Sequence, residues 1–237
     1  GHDLNYLAAT GVLHALGQAD RPPPVPLTLL GDYGGGSMVL VTGLLAALWE
    51  RERSGHGQVV DTAMVDGIGI IAQKMWAMRG AGTWSEERQS NLLDGGAPFY
   101  DTYTCSDGRY LAIGAIERKF FAILLANLEI DPDTIGDQYD RAAWPGIREQ
   151  ITAAVAGRSR DAWAHIFEGS DACATPVLTF SEALKDVHAR SRSAYVELDG
   201  VAQPAPAPRF SRSATATPVP PGARPVTVSD VLSGWVR

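Results

Sequence analysis

The chain has 237 residues, 45% of them apolar and 20% charged, and its 20 Lys and Arg against 27 Asp and Glu give a formal charge of −7. This composition is that of an ordinary globular protein, and it excludes a collagen, a disordered chain and a small disulfide-rich scaffold. The basic residues are scattered beside acidic ones, so we expect no nucleic-acid partner.

The sequence also predicts where the protein resides. Cys105 and Cys173 stand far apart and form no CxxC pair, which favours free thiols in a reducing, cytoplasmic compartment. The longest apolar run, 38–49, is shorter than the roughly 20 residues that cross a bilayer, so we expect no membrane span. Residues 1–3 resemble neither an initiator methionine nor a signal peptide, and we expect the chain to be part of a longer protein.

The first third of the chain is predicted to begin an α/β layer. Apolar residues at helical spacing predict a helix over 3–16 with Asp3 as its N-cap. Prolines then enforce an extended passage over 22–26, and the apolar segment 27–30 is interpreted as a strand that ends near Asp32. Ligands gather in such layers where strands end and helices begin.

Two buried helices are predicted next, with a strand between them. Ser37 is suited to cap a helix that runs to about residue 53. Residues 58–62 are interpreted as a strand, and a second buried helix is expected over 64–79. This alternation of strand and helix is typical of an α/β protein.

The second half of the chain has a different character. Residues 99–105 and 110–115 flank a glycine-containing turn and predict a β-hairpin. The segment 203–225 is rich in Pro and Ala and is too extended to build a core by itself. Further helices are expected over 119–128, 144–156, 159–167, 181–189 and 229–236.

The segment Gly31-Asp32-Tyr33-Gly34-Gly35-Gly36-Ser37 is the first candidate site. It lacks the Lys-Ser/Thr ending of a phosphate-binding loop and the spacing of a dinucleotide fingerprint. One interpretation is that the glycines admit a ligand and leave amides free for an anion or an enolate oxygen beside a catalytic Asp32. The other is that Asp32 caps the helix while the glycines pack it against the sheet.

His2 and Glu117 are two further candidates. His2 precedes a helix, whose dipole disfavours the imidazolium and so favours a neutral base near pH 7; the alternative is an ordinary terminal histidine. Glu117 ends an apolar strand, where an unpaired charge is unfavourable and a histidine is a natural partner. It can equally complement the dipole of the helix that follows it.

The chain is similar over essentially its whole length to the α-methylacyl-CoA racemases of the family III CoA-transferase superfamily, also called the CaiB/BaiF family. Several blocks in the right order make this resemblance specific. They are GHDLNYL at 1–7, GDYGGG at 31–36, AALWER at 46–51, GQVVD at 57–61, residues 91–103, GAIE at 114–117 and SDACATPVL at 170–178.

The resemblance implies an isomerase of fatty acid metabolism that interconverts (2R)- and (2S)-2-methylacyl-CoA thioesters. One base on each face of a planar enolate is required, and these bases correspond to His2 and Asp32. Glu117, supplied across a homodimer, corresponds to the carboxylate that orients the histidine. The resemblance implies no metal and no cofactor, since coenzyme A is part of the substrate. The positions that correspond to the CoA contacts are Gly1, Asp3, Leu4, Asn5 and Tyr6.

The fold that the resemblance implies is the α/β family III CoA-transferase fold, assembled as an interlocked homodimer. A large α/β domain, whose N-terminal part precedes Gly1, combines with a small α+β domain. We expect residues 1–62 to complete the large domain with its catalytic residues and 63–97 to form a helical linker. Residues 98–188 are expected to form the small domain, and 189–237 to return to the large one.

Two other functions are compatible with these residues. In a CoA transferase of the same superfamily, Asp32 would attack the acyl-CoA and form a mixed anhydride, but such enzymes usually have a tyrosine where His2 stands. Alternatively, the chain is a catalytically incompetent fragment, because the family's nucleotide-binding layer lies upstream. Thr28, where relatives often have an asparagine, and Arg118-Lys119 depart from the family pattern.

Overall fold

The computed structural model describes residues 1–213, 215–216, 218–219 and 227–233. The chain forms two compact units, Gly1–Val177 and Leu178–Arg237. The division into four domain segments stays a prediction.

The first unit contains most of the secondary structure. Its helices and strands are α1 (Asp3–Ala9), a π-helix (Leu29–Met38), α2 (Val39–Ser54), α3 (Met64–Ile71), α4 (Gln73–Gly80), β1 (Tyr100–Thr104), β2 (Tyr110–Gly114), α5 (Arg118–Asn127), a 3₁₀ turn (Pro132–Thr134), α6 (Trp144–Ala156), α7 (Arg160–Phe167) and β3 (Ala174–Pro176). The second unit contains α8 (Phe180–Ala183), α9 (Val187–Ser191), β4 (Tyr195–Leu198), β5 (Val201–Pro204) and α10 (Val228–Ser233).

The predicted hairpin is confirmed. Strands β1 and β2 pair antiparallel with Tyr100 opposite Gly114 and Thr104 opposite Tyr110, and β3 adds to the other edge of β2. Alternate residues of β2, such as Leu111 and Ile113, are buried. They pack in one core with the apolar stripe of α6 at Ile147, Ile151 and Val155, and with residues of α5 and α7.

Most of the later helices lie where the sequence predicts them, with small differences in their bounds. The helix expected over 181–189 is two short helices, α8 and α9, because Asp186 caps a new helix by accepting a hydrogen bond from the amide of Ala189 at 2.8 Å. The final helix ends at Ser233, and the rest of that prediction falls outside the described residues. Part of the segment 203–225 does so as well.

Several predictions for the first sixty residues are wrong. The helix expected over 3–16 ends at Ala9, followed by Gly11 at a φ of +77°. The predicted strand 27–30 starts instead with Leu27 and Thr28 at positive φ, a conformation that begins the π-helix. The predicted strand 58–62 has no pairing partner in the described part of the chain and forms no strand.

The predicted helix 64–79 also needs a correction. It is broken at buried Ala72, whose φ of −88° and ψ of 5° separate α3 from α4. Within the described residues, both sheets are antiparallel. The fold class is still the mixed helix-and-strand class that the sequence predicts, although the described strands do not form the strand–helix–strand layer expected at its start.

Side-chain hydrogen bonds hold the loop between α4 and β1 in place. Buried Asn91 donates to the Ser85 carbonyl at 2.9 Å and to Asp94 Oδ2 at 2.8 Å. Asp94 Oδ1 accepts from the amides of Asn91 at 2.8 Å and of Gly96 at 3.0 Å. One carboxylate therefore holds both the start and the end of this turn.

Helix α2 has no buried residue in the described structure, contrary to the predicted buried helix. It continues the π-helix, so residues 29–54 form one helical stretch of 26 residues, within which a window of 18 residues has a mean hydropathy of 1.3. This helical stretch is longer than the apolar run 38–49 on which the expectation of no membrane span was based. By length and composition the stretch is sufficient to cross a membrane, but core helices of larger domains pass the same test. The absence of a span stays a prediction.

The π-helix packs on α3 through two glycines. A Cβ on Gly67 would overlap the carbonyl oxygen of Gly35, and a Cβ on Gly35 would lie 2.7 Å from the Ile68 nitrogen. Both glycines are buried. The backbones thus touch directly, and this close approach fixes the segment that carries Asp32.

This packing makes Gly67→Ala a test of the fold. We expect the added Cβ to separate α3 from the π-helix and to lower the free energy of unfolding by about 1–3 kcal/mol. Gly69→Ala is a matched control on the same helix, because a Cβ at that position would meet open space. The control should be neutral or stabilise by up to about 1 kcal/mol. Urea denaturation measures both, and equal effects would contradict the packing.

Candidate active site

Hydrogen bonds between the backbone of His2 and Asn5 hold His2 at the start of α1. It is the N-cap residue, with an extended φ of −123°, and its amide donates to Asn5 Oδ1 at 2.9 Å. Its carbonyl accepts from the amide of Asn5 at 2.9 Å. The His2 side chain is exposed. The predicted position of this residue at a helix N-terminus is confirmed, while Asp3 is the first helical residue rather than the cap.

The Asp3 carboxylate joins α1 to the glycine-rich segment. Asp3 is 4% exposed, and its Oδ1 accepts from the amide of Gly31 at 2.7 Å and from the amide of Asp32 at 2.8 Å. The predicted N-cap role would have Asp3 accept amide hydrogens of its own helix. It accepts those of a segment 28 and 29 residues away instead.

Asp32 lies in the π-helix rather than in a loop. Its side chain is half-buried, and its carbonyl accepts from Ser37 Oγ at 2.9 Å. The amides of Gly31 and Asp32 are occupied by Asp3, and that of Tyr33 donates to the Thr28 carbonyl at 3.4 Å. The expectation that this segment offers free amides to an anion is therefore wrong at these three positions. Its glycines pack against α3, not against a sheet.

The Asp3 bridge brings the two candidate bases close together. His2 precedes Asp3, and the Asp3 carboxylate binds the amide of Asp32 itself. Bond geometry then limits the separation of the His2 and Asp32 Cα atoms to about 12 Å. At that separation, the His2 and Asp32 side chains can reach the same carbon atom of a bound molecule from two sides. The amides of Asp3 and Leu4, in the first turn of α1, have no acceptor within their own helix.

Glu117 lies apart from this pair, between β2 and α5. It is the exposed N-cap residue of α5, and its side chain makes no cap hydrogen bond. Within the described residues it forms no hydrogen bond or ion pair with a histidine. Partial burial, followed by the negative charges of Glu117 and Asp171, raises the pKa of the Cys173 thiol above its ordinary value. Glu117 thus lies near Cys173, the residue that precedes β3.

Two cavities lie elsewhere in the first unit. One of about 380 Å³ is bounded by residues 10–17, α4 and the loop before β1. Arg79 and Glu86 are among its lining residues; Arg79 Nε lies 2.6 Å from Glu86 Oε1, and this ion pair lowers the pKa of Glu86. Another, of about 470 Å³, lies against the three-stranded sheet. Neither is lined by His2, Asp32 or Glu117, and no sequence motif pointed to the first.

Comparison with known proteins decides the family. Residues 1–227 match the sequence profile described as CoA-transferase family III. The chain belongs to CoA-transferase family III. A CaiB/BaiF family protein from Brucella suis shares the fold, with a TM-score of 0.73 at 20% identity over 99% of this chain and 62% of that one.

Within CoA-transferase family III, the chain is similar to two mammalian proteins. It is 43% identical over 226 residues to the alpha-methylacyl-CoA racemase of Mus musculus, covering 94% of this chain. It is 39% identical over 209 residues to that of Homo sapiens, covering 87% of this chain. The chain spans 58% and 55% of the lengths of these two relatives.

The placement of Glu117 beside Cys173 is open to a direct test. Glu117→Gln removes one of the charges that raise the thiol pKa, so more thiolate forms at a given pH. We expect iodoacetamide to alkylate Cys173 about two- to threefold faster at pH 8. Glu129→Gln is the control, since Glu129 pairs with Arg158 at 2.9 Å instead. An unchanged Cys173 rate in Glu117→Gln would contradict the placement; buried Cys105 should react slowly throughout.

Proposed function

We propose that this chain carries the two bases of an enzyme that interconverts (2R)- and (2S)-2-methylacyl-CoA thioesters. The observation that carries the proposal is the convergence of His2 and Asp32 through the Asp3 carboxylate. The similarity to the two mammalian racemases supports it, since residues 1–7 and 31–36 lie within the matched family region. Two residues that stand thirty positions apart along the chain thus have Cα atoms within about 12 Å of each other.

The proposed reaction moves one proton between the two faces of C2. One base takes the α-proton, the C–H bond breaks, and its electron pair passes into the thioester to form an enolate. The other base, protonated beforehand, gives its proton to C2 from the opposite face. His2 and Asp32 exchange these roles with the direction of the reaction, as microscopic reversibility requires.

The developing enolate oxygen needs hydrogen-bond donors. The first-turn amides of α1, at Asp3 and Leu4, are suited to this because the helix leaves them without internal acceptors and its dipole favours negative charge there. Proton transfer between two side chains requires no redox group. We therefore propose neither a metal nor a cofactor, and coenzyme A enters only with the substrate.

CoA contact at the start of α1 is part of the proposal. Gly1, Leu4 and Asn5 are exposed, and Gly1 packs against the ring of half-buried Tyr6. Asp3 can contribute only through its backbone, because its carboxylate is buried on Gly31 and Asp32. A homodimer in which the partner's copy of Glu117 orients His2 completes the proposed site.

The second candidate is acyl transfer by the same site. The matched profile is that of a CoA-transferase family, and the half-buried Asp32 carboxylate is able to act as a nucleophile on a thioester. In that reaction an acceptor acid is required and C2 keeps its proton. His2 has no role in such a step, and this favours the racemase.

Deuterium labelling separates the two functions. Full-length protein incubated with one epimer of a 2-methylacyl-CoA in deuterated water should yield both epimers with deuterium at C2, independent of any acceptor acid. Acyl exchange onto a free acid without labelling at C2 would contradict the racemase and support the transferase. Labelling or epimerisation that needs neither base would contradict both.

Variants of the two bases give a second test. His2→Ala and Asp32→Asn should each lower epimerisation by about 10²–10⁴-fold, since each removes one general acid or base. The wild-type rate should follow a bell-shaped pH profile that reports the coupled pair. His165→Ala is the control, because that histidine is exposed on α7, where its Nδ1 lies 3.5 Å from Glu168 Oε2. A full rate in His2→Ala would overturn its assignment.

A further inference from the structure

The Asp3 carboxylate is built into the protein rather than directed at a ligand. It is 4% exposed, and a buried carboxylate is unfavourable unless hydrogen bonds compensate for the lost water. Two hydrogen bonds, at 2.7 and 2.8 Å, reach the same oxygen, Oδ1, and both come from backbone amides. Hydrogen bonds from amides to a charged acceptor are short and strong.

The surrounding backbone is shaped around this oxygen. Gly31 is buried, and a Cβ at that position would overlap Asp3 Oδ1 and lie 3.2 Å from Met64 Sδ. Any residue other than glycine at position 31 would therefore displace the Asp3 carboxylate. Because Gly31 has no Cβ, the Asp3 carboxylate can lie directly against the backbone of this segment.

The π-helix supplies amides that need such an acceptor. The first amides of any helix have no partner within it, and in this π-helix two of them, at Gly31 and Asp32, meet the carboxylate of α1. Asp3 thus caps a helix other than its own. The capped residue, Asp32, is the proposed base, and the residue before Asp3 is the other.

We propose that Asp3 is a positioning residue that sets the direction of the Asp32 carboxylate relative to His2. This inference rests on the proposed function. Proton transfer is sensitive to geometry, and a displacement of about 1 Å can lower a rate by about 100-fold. Asp3 acts through the backbone of Asp32, so its effect depends on where Oδ1 stands and not on its charge.

Three substitutions separate geometry from charge. Asp3→Asn loses the charge but retains an Oδ1 at the same distance from the backbone. Asp3→Glu retains the charge but moves the acceptor outward by one methylene. Asp3→Ala removes the acceptor. Asp94→Ala is the matched control, since Asp94 also holds backbone amides with its carboxylate but lies in the loop before β1.

The informative readout is exchange at each face of C2, measured with full-length protein in deuterated water. Asp3→Glu and Asp3→Ala should lower epimerisation, and exchange from the epimer whose α-proton faces Asp32, by about 10- to 100-fold. Exchange from the epimer whose proton faces His2 should fall by less than about threefold. Asp3→Asn should keep most of the wild-type rate that Asp3→Glu and Asp3→Ala lose. Any effect of Asp94→Ala on the exchange rate should be equal at the two faces of C2.

Each result bears on the inference. Equal losses at both faces in the Asp3 variants, or a more active Asp3→Glu than Asp3→Asn, would overturn it. If Asp3→Ala does not fold, the comparison of Asp3→Asn with Asp3→Glu still decides. A wild-type protein that exchanges no α-proton would overturn the proposed function instead. Amide hydrogen exchange separates the two failures, because Asp3→Asn should keep the Gly31 and Asp32 amides protected whatever the activity. Loss of that protection would show that the charge is required and would overturn the inference.

Discussion

Two hydrogen bonds to one buried oxygen determine the arrangement of the candidate site. The Asp3 carboxylate ties the first turn of α1 to the beginning of the π-helix. Without it, the first turn of α1 would lose its hydrogen bonds to the amides of Gly31 and Asp32, and the direction of Asp32 relative to His2 would be less well fixed. The glycines follow from the same constraint: Gly31 makes room for the carboxylate, and Gly35 lets the π-helix rest on Gly67 of α3.

The site is therefore rigid at its backbone and open at its side chains. The backbone of His2 is fixed by Asn5, and that of Asp32 by Asp3, while the His2 ring is exposed and the Asp32 side chain half-buried. Enzymes that move protons benefit from this combination, because the reacting groups are positioned before the substrate arrives. The neighbouring helix α2 presents an apolar surface that includes Leu45, Leu48 and Trp49.

The sequence predicted local features better than relations between distant segments. The hairpin of β1 and β2 and helices α5 to α7 follow from alternation, a turn glycine and helical spacing, which are local signals. The π-helix escaped prediction because glycines usually indicate a break, whereas here they allow tight packing. The apolar run of α2 predicted a buried helix, but α2 has no buried residue in the described structure. Apolar composition indicates that a surface tends to be buried and does not identify the segment or partner that buries it.

The candidate bases were predicted, but the reason for their proximity was not. His2 and Asp32 carried signals in their positions beside helix starts, and the family resemblance named both. The bridging role of Asp3 depends on a contact between residues 28 and 29 positions apart, which no local pattern encodes.

A crystal structure of the full-length protein with a bound 2-methylacyl-CoA tests the central claim most directly. We predict that C2 lies about 3–3.5 Å from both a His2 ring nitrogen and an Asp32 carboxylate oxygen, on opposite faces; both groups on one face, or C2 in a separate cavity, would contradict it.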